Sequence, residues 1–195
     1  MFKAARGKIV ARMRRLMPAG IARRFARRQD GVAAVEFALV AAPFLALTFA
    51  ILETAFVFFA SQTLEATAAD ASRLILTGQA QTAGFSQADF KTAVCARVYG
   101  LFDCSGKMSV DVKSYASFAT VNNTPPVTNG TLDTSQMKYV PGGPGCIIVV
   151  TLYYPWPIYV SMFSNNLSNL SGNNRLLVAT AVFRNEPYGP TGSCT

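Results

Sequence analysis

Arg27-Arg28-Gln29-Asp30-Gly31-Val32-Ala33-Ala34-Val35-Glu36-Phe37-Ala38-Leu39-Val40 is the stretch on which the fold turns. A pair of arginines gives way, across one glycine, to an apolar run with a single carboxylate near its start. Over 37–52 every residue is apolar except Thr48, and Glu53 and Thr54 are the only further interruptions up to residue 60. A helix over 37–60 covers roughly 36 Å at about 1.5 Å per residue, enough for a hydrocarbon core of ~30 Å with some overhang.

Charge is distributed to match. The 195-residue chain has a net charge of +8, no histidine, and 14% charged residues, well below the roughly 25% usual for soluble domains. Lys3, Arg6, Lys8, Arg12, Arg14, Arg15, Arg23, Arg24, Arg27 and Arg28 precede Gly31 against one acid, Asp30. The leader thus carries +9 of a total of +8, and the remainder is at −1. An evenly basic protein would suggest nucleic acid as a partner. A basic block beside an apolar run instead marks the cytoplasmic flank of a membrane span, so no nucleic-acid partner is expected. A secretory signal would have a shorter apolar stretch, of about 7–15 residues, ending in small residues. The expected order is a basic cytoplasmic leader at 1–31, a span at about 37–60, and a remainder on the outer side of the membrane. Within the leader, 9–28 reads either as two short amphipathic pieces on anionic lipid or as a disordered basic tail.

Helical patterning outlasts the span. Leu64, Ala68, Ala71 and Ile75 recur on one face, Asp70 and Arg73 stand one turn apart where they can pair, and Gly78 is a stop signal. One helix over 32–77 is predicted, half in lipid and half a stalk, with a kink at Pro43 where a backbone donor is missing. The fold class expected is α+β: this long helix, then a small helix and an antiparallel sheet in a pilin-like domain over 78–195. Ser86 and Asp89 resemble a capping box opening a helix through about Leu101. Met108, Val110 and Val112 alternate with polar residues as a half-buried strand does. The Asn-, Thr-, Pro- and Gly-rich stretch 119–145 reads as a long surface loop. A central strand over 146–154 is expected to stop at Pro155 and Pro157, a short helix to follow at 158–167, and a last strand to run over 176–183. Tyr153-Tyr154-Pro155-Trp156-Pro157 reads as packed core or as an exposed adhesive surface.

All four cysteines lie on the outer side under this topology. A disulfide between Cys95 and Cys104 suits an oxidising periplasm, and Cys146 with Cys194 is the preferred second pair among the three pairings that four cysteines allow. Cys-x8-Cys without histidine argues against a zinc site. Without histidine, serine and cysteine nucleophiles lack their usual base; no acid pair stands at a useful spacing, and no glycine-rich phosphate loop follows a strand. An enzyme is not expected, nor any cofactor or metal.

Glu36 is the residue that the span must explain, because a carboxylate beside an apolar run is costly unless paired. It is the fifth residue after Gly31. Cutting there would leave a charged amine on Val32, one helical turn away in the same or a neighbouring subunit. Basic leader, glycine, glutamate at the fifth mature position and apolar helix together resemble the type IV prepilins. The stretch is more closely similar to TadE-like pseudopilins of the tight-adherence (Flp pilus) system. Gly31, Ala33, Ala34, Val35, Glu36, Phe37, Ala38, Leu39, Val40, Pro43, a second carboxylate at Glu53 and the helical 64–74 carry that resemblance.

The resemblance implies cleavage between Gly31 and Val32 by a prepilin peptidase. It also implies partnership with other pilin or pseudopilin subunits and an inner-membrane assembly platform, in addition to the lipid bilayer. Flp major pilins are very short and usually carry Glu-Tyr; Glu36-Phe37 and the long outer domain point instead to a minor subunit. The alternative is an uncleaved single-pass envelope protein acting as an assembly or secretion scaffold. Glu53 lies 17 residues beyond Glu36, ~25 Å along a straight helix, so the two cannot form one acid–base pair. At the outer interface Glu53 would meet a helix of another subunit or reach up to water.

Overall fold

In the computed structural model, residues 31–98, 100–159, 167–189 and 194 are described. The basic leader before Gly31, including the segment 9–28, lies outside them. The chain divides into two compact units, Met1–Thr48 and Phe49–Thr195.

Helix α1 runs over Val32–Leu76, continuous through Pro43. In the first unit its described residues are almost all exposed. In the second, Glu53, Val57, Ala60, Leu64, Ala68, Ala71 and Ile75 recur at spacings of three and four and are buried, the stripe by which a helix joins a core. Gly78 ends the helix in the left-handed region at φ 76°, which glycine enters without a Cβ penalty. Its N–H donates to the Ile75 carbonyl at 3.0 Å, and the Glu186 N–H reaches the Leu76 carbonyl at 3.0 Å. A helix-end acceptor is thus satisfied from a distant part of the chain. Asp70 and Arg73 do not pair, contrary to expectation: both are exposed, and the ion pair among the described residues is Lys113 with Asp111 at 2.6 Å. An exposed pair one turn apart gains only about 0.2–0.5 kcal/mol, too little to hold two long side chains together.

Two short helices follow, α2 over Gln79–Thr82 and α3 over Gln87–Cys95. The capping box is formed: the Asp89 N–H donates to Ser86 Oγ, and the Asp89 carboxylate accepts the Ser86 N–H at 2.9 Å. The Ser86 hydroxyl also donates to that carboxylate at 2.7 Å, and this bond foremost, with the one from the Ser86 N–H, holds the Asp89 carboxyl below the usual range. The helix stops at Cys95, short of the expected Leu101. The chain turns there through tight 94–98 bonds, reverses at Gly100 with φ 69°, and is closed by the Cys95–Cys104 disulfide.

The main sheet contains β1 (Ser109–Tyr115), β4 (Ile147–Pro157) and β5 (Asn174–Arg184) in the order β1-β4-β5, all antiparallel. Its inward residues Val112, Ile148, Val150, Leu152, Leu177 and Ala179 form one cluster with the α1 stripe and with Phe90 and Val94 of α3. Strand β4 does not stop at Pro155; it pairs with β5 through Pro157. The Ile158 N–H points at β5, donating to the Asn173 carbonyl, so by strand alternation the nitrogens of Pro155 and Pro157 face the opposite side. There β1 has already ended opposite Tyr153. No ladder bond is lost, which is the condition under which a strand accepts proline.

The 119–145 stretch is more ordered than a plain loop. A short 3-10 turn at Phe118–Thr120 precedes a two-stranded hairpin, β2 (Val127–Thr128) and β3 (Thr131–Leu132). Its corner is Asn129-Gly130 with φ 53° and 72°, the residue pair that a two-residue hairpin of this hand prefers. Lys138 and Val140 then bond to Val112 at 2.7 and 2.8 Å, covering the outer edge of β1. The short helix expected at 158–167 falls largely on 160–166, outside the described residues; Ile158, Tyr159 and Leu167 are not helical. A second disulfide joins Cys146 to Cys194.

Candidate membrane helix

The N-terminal part of α1 turns large apolar side chains outward. Phe37 is 74% exposed, Leu39 and Val40 are 70%, and Phe44 is 66%. An 18-residue window of this helix has mean hydropathy 2.2 with none of it buried. A helix in the core of a soluble protein would be covered, and an apolar surface this large marks a site of contact with membrane or protein. Among the described residues α1 is the one helix long and apolar enough to cross a membrane, which fits a single-pass membrane protein.

Polar groups along the helix are handled as such a setting requires. The Thr48 hydroxyl donates to the Phe44 carbonyl at 2.9 Å and the Thr54 hydroxyl to Ala50 at 2.8 Å. Each is satisfied one turn back, inside the helix itself. Gly31 immediately precedes α1 and Val32 is its first residue, both exposed. Glu36 is exposed in the second turn, among Ala33, Ala34, Ala38 and the half-exposed Ala41.

Glu53 is placed otherwise. It is 9% exposed, and its carboxylate accepts the backbone N–H of Tyr159. Asn173, itself in the left-handed region at φ 58°, braces that segment: its carbonyl accepts the Ile158 N–H at 3.0 Å, and its side-chain amide donates to the Ile158 carbonyl. Glu53 therefore meets a backbone group of its own chain, a partner that no helical pattern could reveal, because it comes from 106 positions away.

The aromatic run at the end of β4 is largely packed. Tyr153 and Tyr154 are 2% and 4% exposed. Phe102 meets Tyr154 edge-on at 4.8 Å and Trp156 at 5.8 Å, and the Tyr154 hydroxyl accepts the Asp103 N–H at 3.1 Å. Elsewhere on the same core Tyr139 packs on Phe90 at 5.6 Å. Its hydroxyl is buried without a hydrogen-bond partner, and burial, with a smaller push from the Asp89 charge, raises its pKa to about 12. Among the described residues no three acids or cysteines cluster as metal ligands would, and all four cysteines are in disulfides.

Comparison with known proteins bears on the helix alone. Searches of curated proteins and of solved structures give no significant match. A family model described as TadE-like protein matches residues 31–73. That segment begins at Gly31, contains Glu36, Pro43 and Glu53, and runs nearly to the end of α1. Over the helix that carries its outward apolar face, with Glu36 and Glu53, this chain resembles the TadE-like family model.

Proposed function

We propose that the protein is a minor pseudopilin of a tight-adherence type IV pilus, held in the bacterial inner membrane by α1 and processed after Gly31. The observation that carries this reading is one coincidence: the TadE-like match opens on Gly31, one residue before α1 and its outward apolar surface begin at Val32. Lipid is as apolar as leucine, so helices gather within it through close fit and paired polar groups. Ala33, Ala34, Ala38, Ala41 and Ala42 supply the fit. Glu36 supplies the charge, and the amine freed on Val32 of the same or an adjacent subunit is its natural counter-ion. A side chain added at residue 31 would meet nothing within 4 Å among the described residues, which supports cleavage at that position. In this reading the leader stays in the cytoplasm and the unit Phe49–Thr195 is periplasmic, where its disulfides form. The outer unit then acts in assembly through contacts with other subunits and the assembly platform.

The N-terminal mass of protein recovered from membranes tests this. A chain starting at Val32, retained at full length in a Gly31→Leu variant, is the expected result. A chain still carrying Met1 beside an active prepilin peptidase overturns it and leaves an uncleaved envelope scaffold.

A further inference from the structure

The surroundings of α1 change at Glu53. Before it, the apolar window has no buried residue; from it onward Glu53, Val57, Ala60 and Leu64 are buried in the second unit. Helix over 33–52 spans ~30 Å at about 1.5 Å per residue, the thickness of a hydrocarbon core. The headgroup layer adds about 5–7 Å on each side, which the next four or five helical residues cross; side chains one turn further on lean back toward the helix N-terminus and so reach it too.

The uncovered side of that next stretch is aromatic. Phe56, Phe58 and Phe59 are 60%, 66% and 60% exposed, and aromatic rings collect where bilayer meets water. One outside segment is fixed at the same level. The Glu53 carboxylate holds the Tyr159 N–H, while the Tyr159 side chain is 82% exposed, more than any other large apolar side chain among the described residues. Its neighbour Ile158 is 5% exposed, so the segment is anchored and the tyrosine is what it presents. An apolar ring with a polar tip suits a headgroup boundary.

We propose that Glu53 marks the outer edge of the hydrocarbon, and that Tyr159 with Phe56, Phe58 and Phe59 contacts the lipid headgroup layer. The disulfide-bonded unit then meets the bilayer surface directly, with the boundary at residue 53 instead of residue 60. Lipid is the occupant because the three phenylalanines continue, within one helix, the apolar surface of the span. This rests on the membrane reading of α1.

The test uses the full chain in vesicles of phosphatidylethanolamine and phosphatidylglycerol. Trp156→Phe removes the chain's one tryptophan, and Tyr159→Trp places a reporter at a position exposed enough to accept it; the same reporter beside a retained Trp156 controls for any repacking. Emission that is blue-shifted, and quenched by lipids brominated near the headgroup more than by lipids brominated near the chain ends, is the expected result. Glu53→Ala should weaken that quenching. Water-like, unquenched emission from protein that still floats with the vesicles overturns the headgroup contact alone. Failure to float overturns the membrane reading with it.

Discussion

The ring of Tyr188 lies directly on Gly78: a Cβ added to that glycine would stand 2.5 Å from Tyr188 Cγ. Gly78 is also left-handed, at φ 76°. The end of α1 is therefore specified twice, by a backbone conformation that needs glycine and by a ring occupying the side-chain position. Tyr188 is fixed in turn, its hydroxyl accepting the Asn185 side-chain amide at 3.3 Å. Gly78→Ala should cost about 2–4 kcal/mol, roughly 1 for the left-handed backbone and the rest for displacing the ring. In the Gly78→Ala/Tyr188→Ala double variant only the backbone part should remain beyond the loss from Tyr188→Ala alone. Chemical unfolding of the detergent-solubilised protein measures the coupling, and simple additivity would refute it.

The two disulfides should differ in worth. Cys95–Cys104 closes 9 positions and Cys146–Cys194 closes 48. Loop-closure entropy gives about 2.5 kcal/mol for the first and about 4 kcal/mol for the second. Cys146→Ser/Cys194→Ser should lower the unfolding midpoint more than Cys95→Ser/Cys104→Ser does. The second bond joins the start of β4 to residue 194 and bridges the sheet to the chain's end, whereas the first only tightens the exit from α3. Equal midpoints would mean that strain or residual structure outweighs loop length.

What could be read beforehand followed from local periodicity. The α+β class, the reach of α1, the Leu64–Ala68–Ala71–Ile75 face and the Ser86/Asp89 cap depend on neighbours within one or two turns, so spacing reveals them. What was missed depends on distant partners. Proline stops a strand only if its nitrogen faces a neighbouring strand, and whether β1 extends past Tyr153 is not written near Pro155. The Asn129-Gly130 corner was legible as a hairpin signal, but lay among turn residues that obscured it. Glu53 could be recognised as a carboxylate needing a partner, while the partner's identity required the fold.

Two carboxylates of α1, Glu36 and Glu53, should consequently respond differently to removal. Glu36 is exposed, so Glu36→Ala should leave folding and membrane insertion unchanged and impair pilus-linked function. Glu53 is buried on the Tyr159 amide. A hydrogen bond to a charged group contributes about 1.5–3 kcal/mol, so Glu53→Ala should destabilise the second unit by that order. Hydrogen exchange at the Tyr159 amide is the direct readout: protection lost in Glu53→Ala and kept in Glu36→Ala. Protection unchanged in both would remove Glu53 from this role.

Tyr139 offers a prediction with a fixed sign. Its pKa in the folded chain is about 12, raised from 10.0 chiefly by burial, so the folded state holds this proton more tightly than the unfolded state does. Stability from that difference is present in full below about pH 10 and is lost as pH climbs towards 12, because the unfolded chain sheds the proton first. Tyr139→Phe should flatten this alkaline loss. It should also leave neutral-pH stability unchanged or raise it by up to about 1 kcal/mol, since it deletes a buried hydroxyl with no hydrogen-bond partner and keeps the ring on Phe90. Unfolding midpoints of both proteins between pH 8 and pH 11.5, taken at ~1-unit steps with tyrosinate absorbance followed in parallel, check it. A steeper alkaline decline in the phenylalanine variant would reverse the sign and refute the argument.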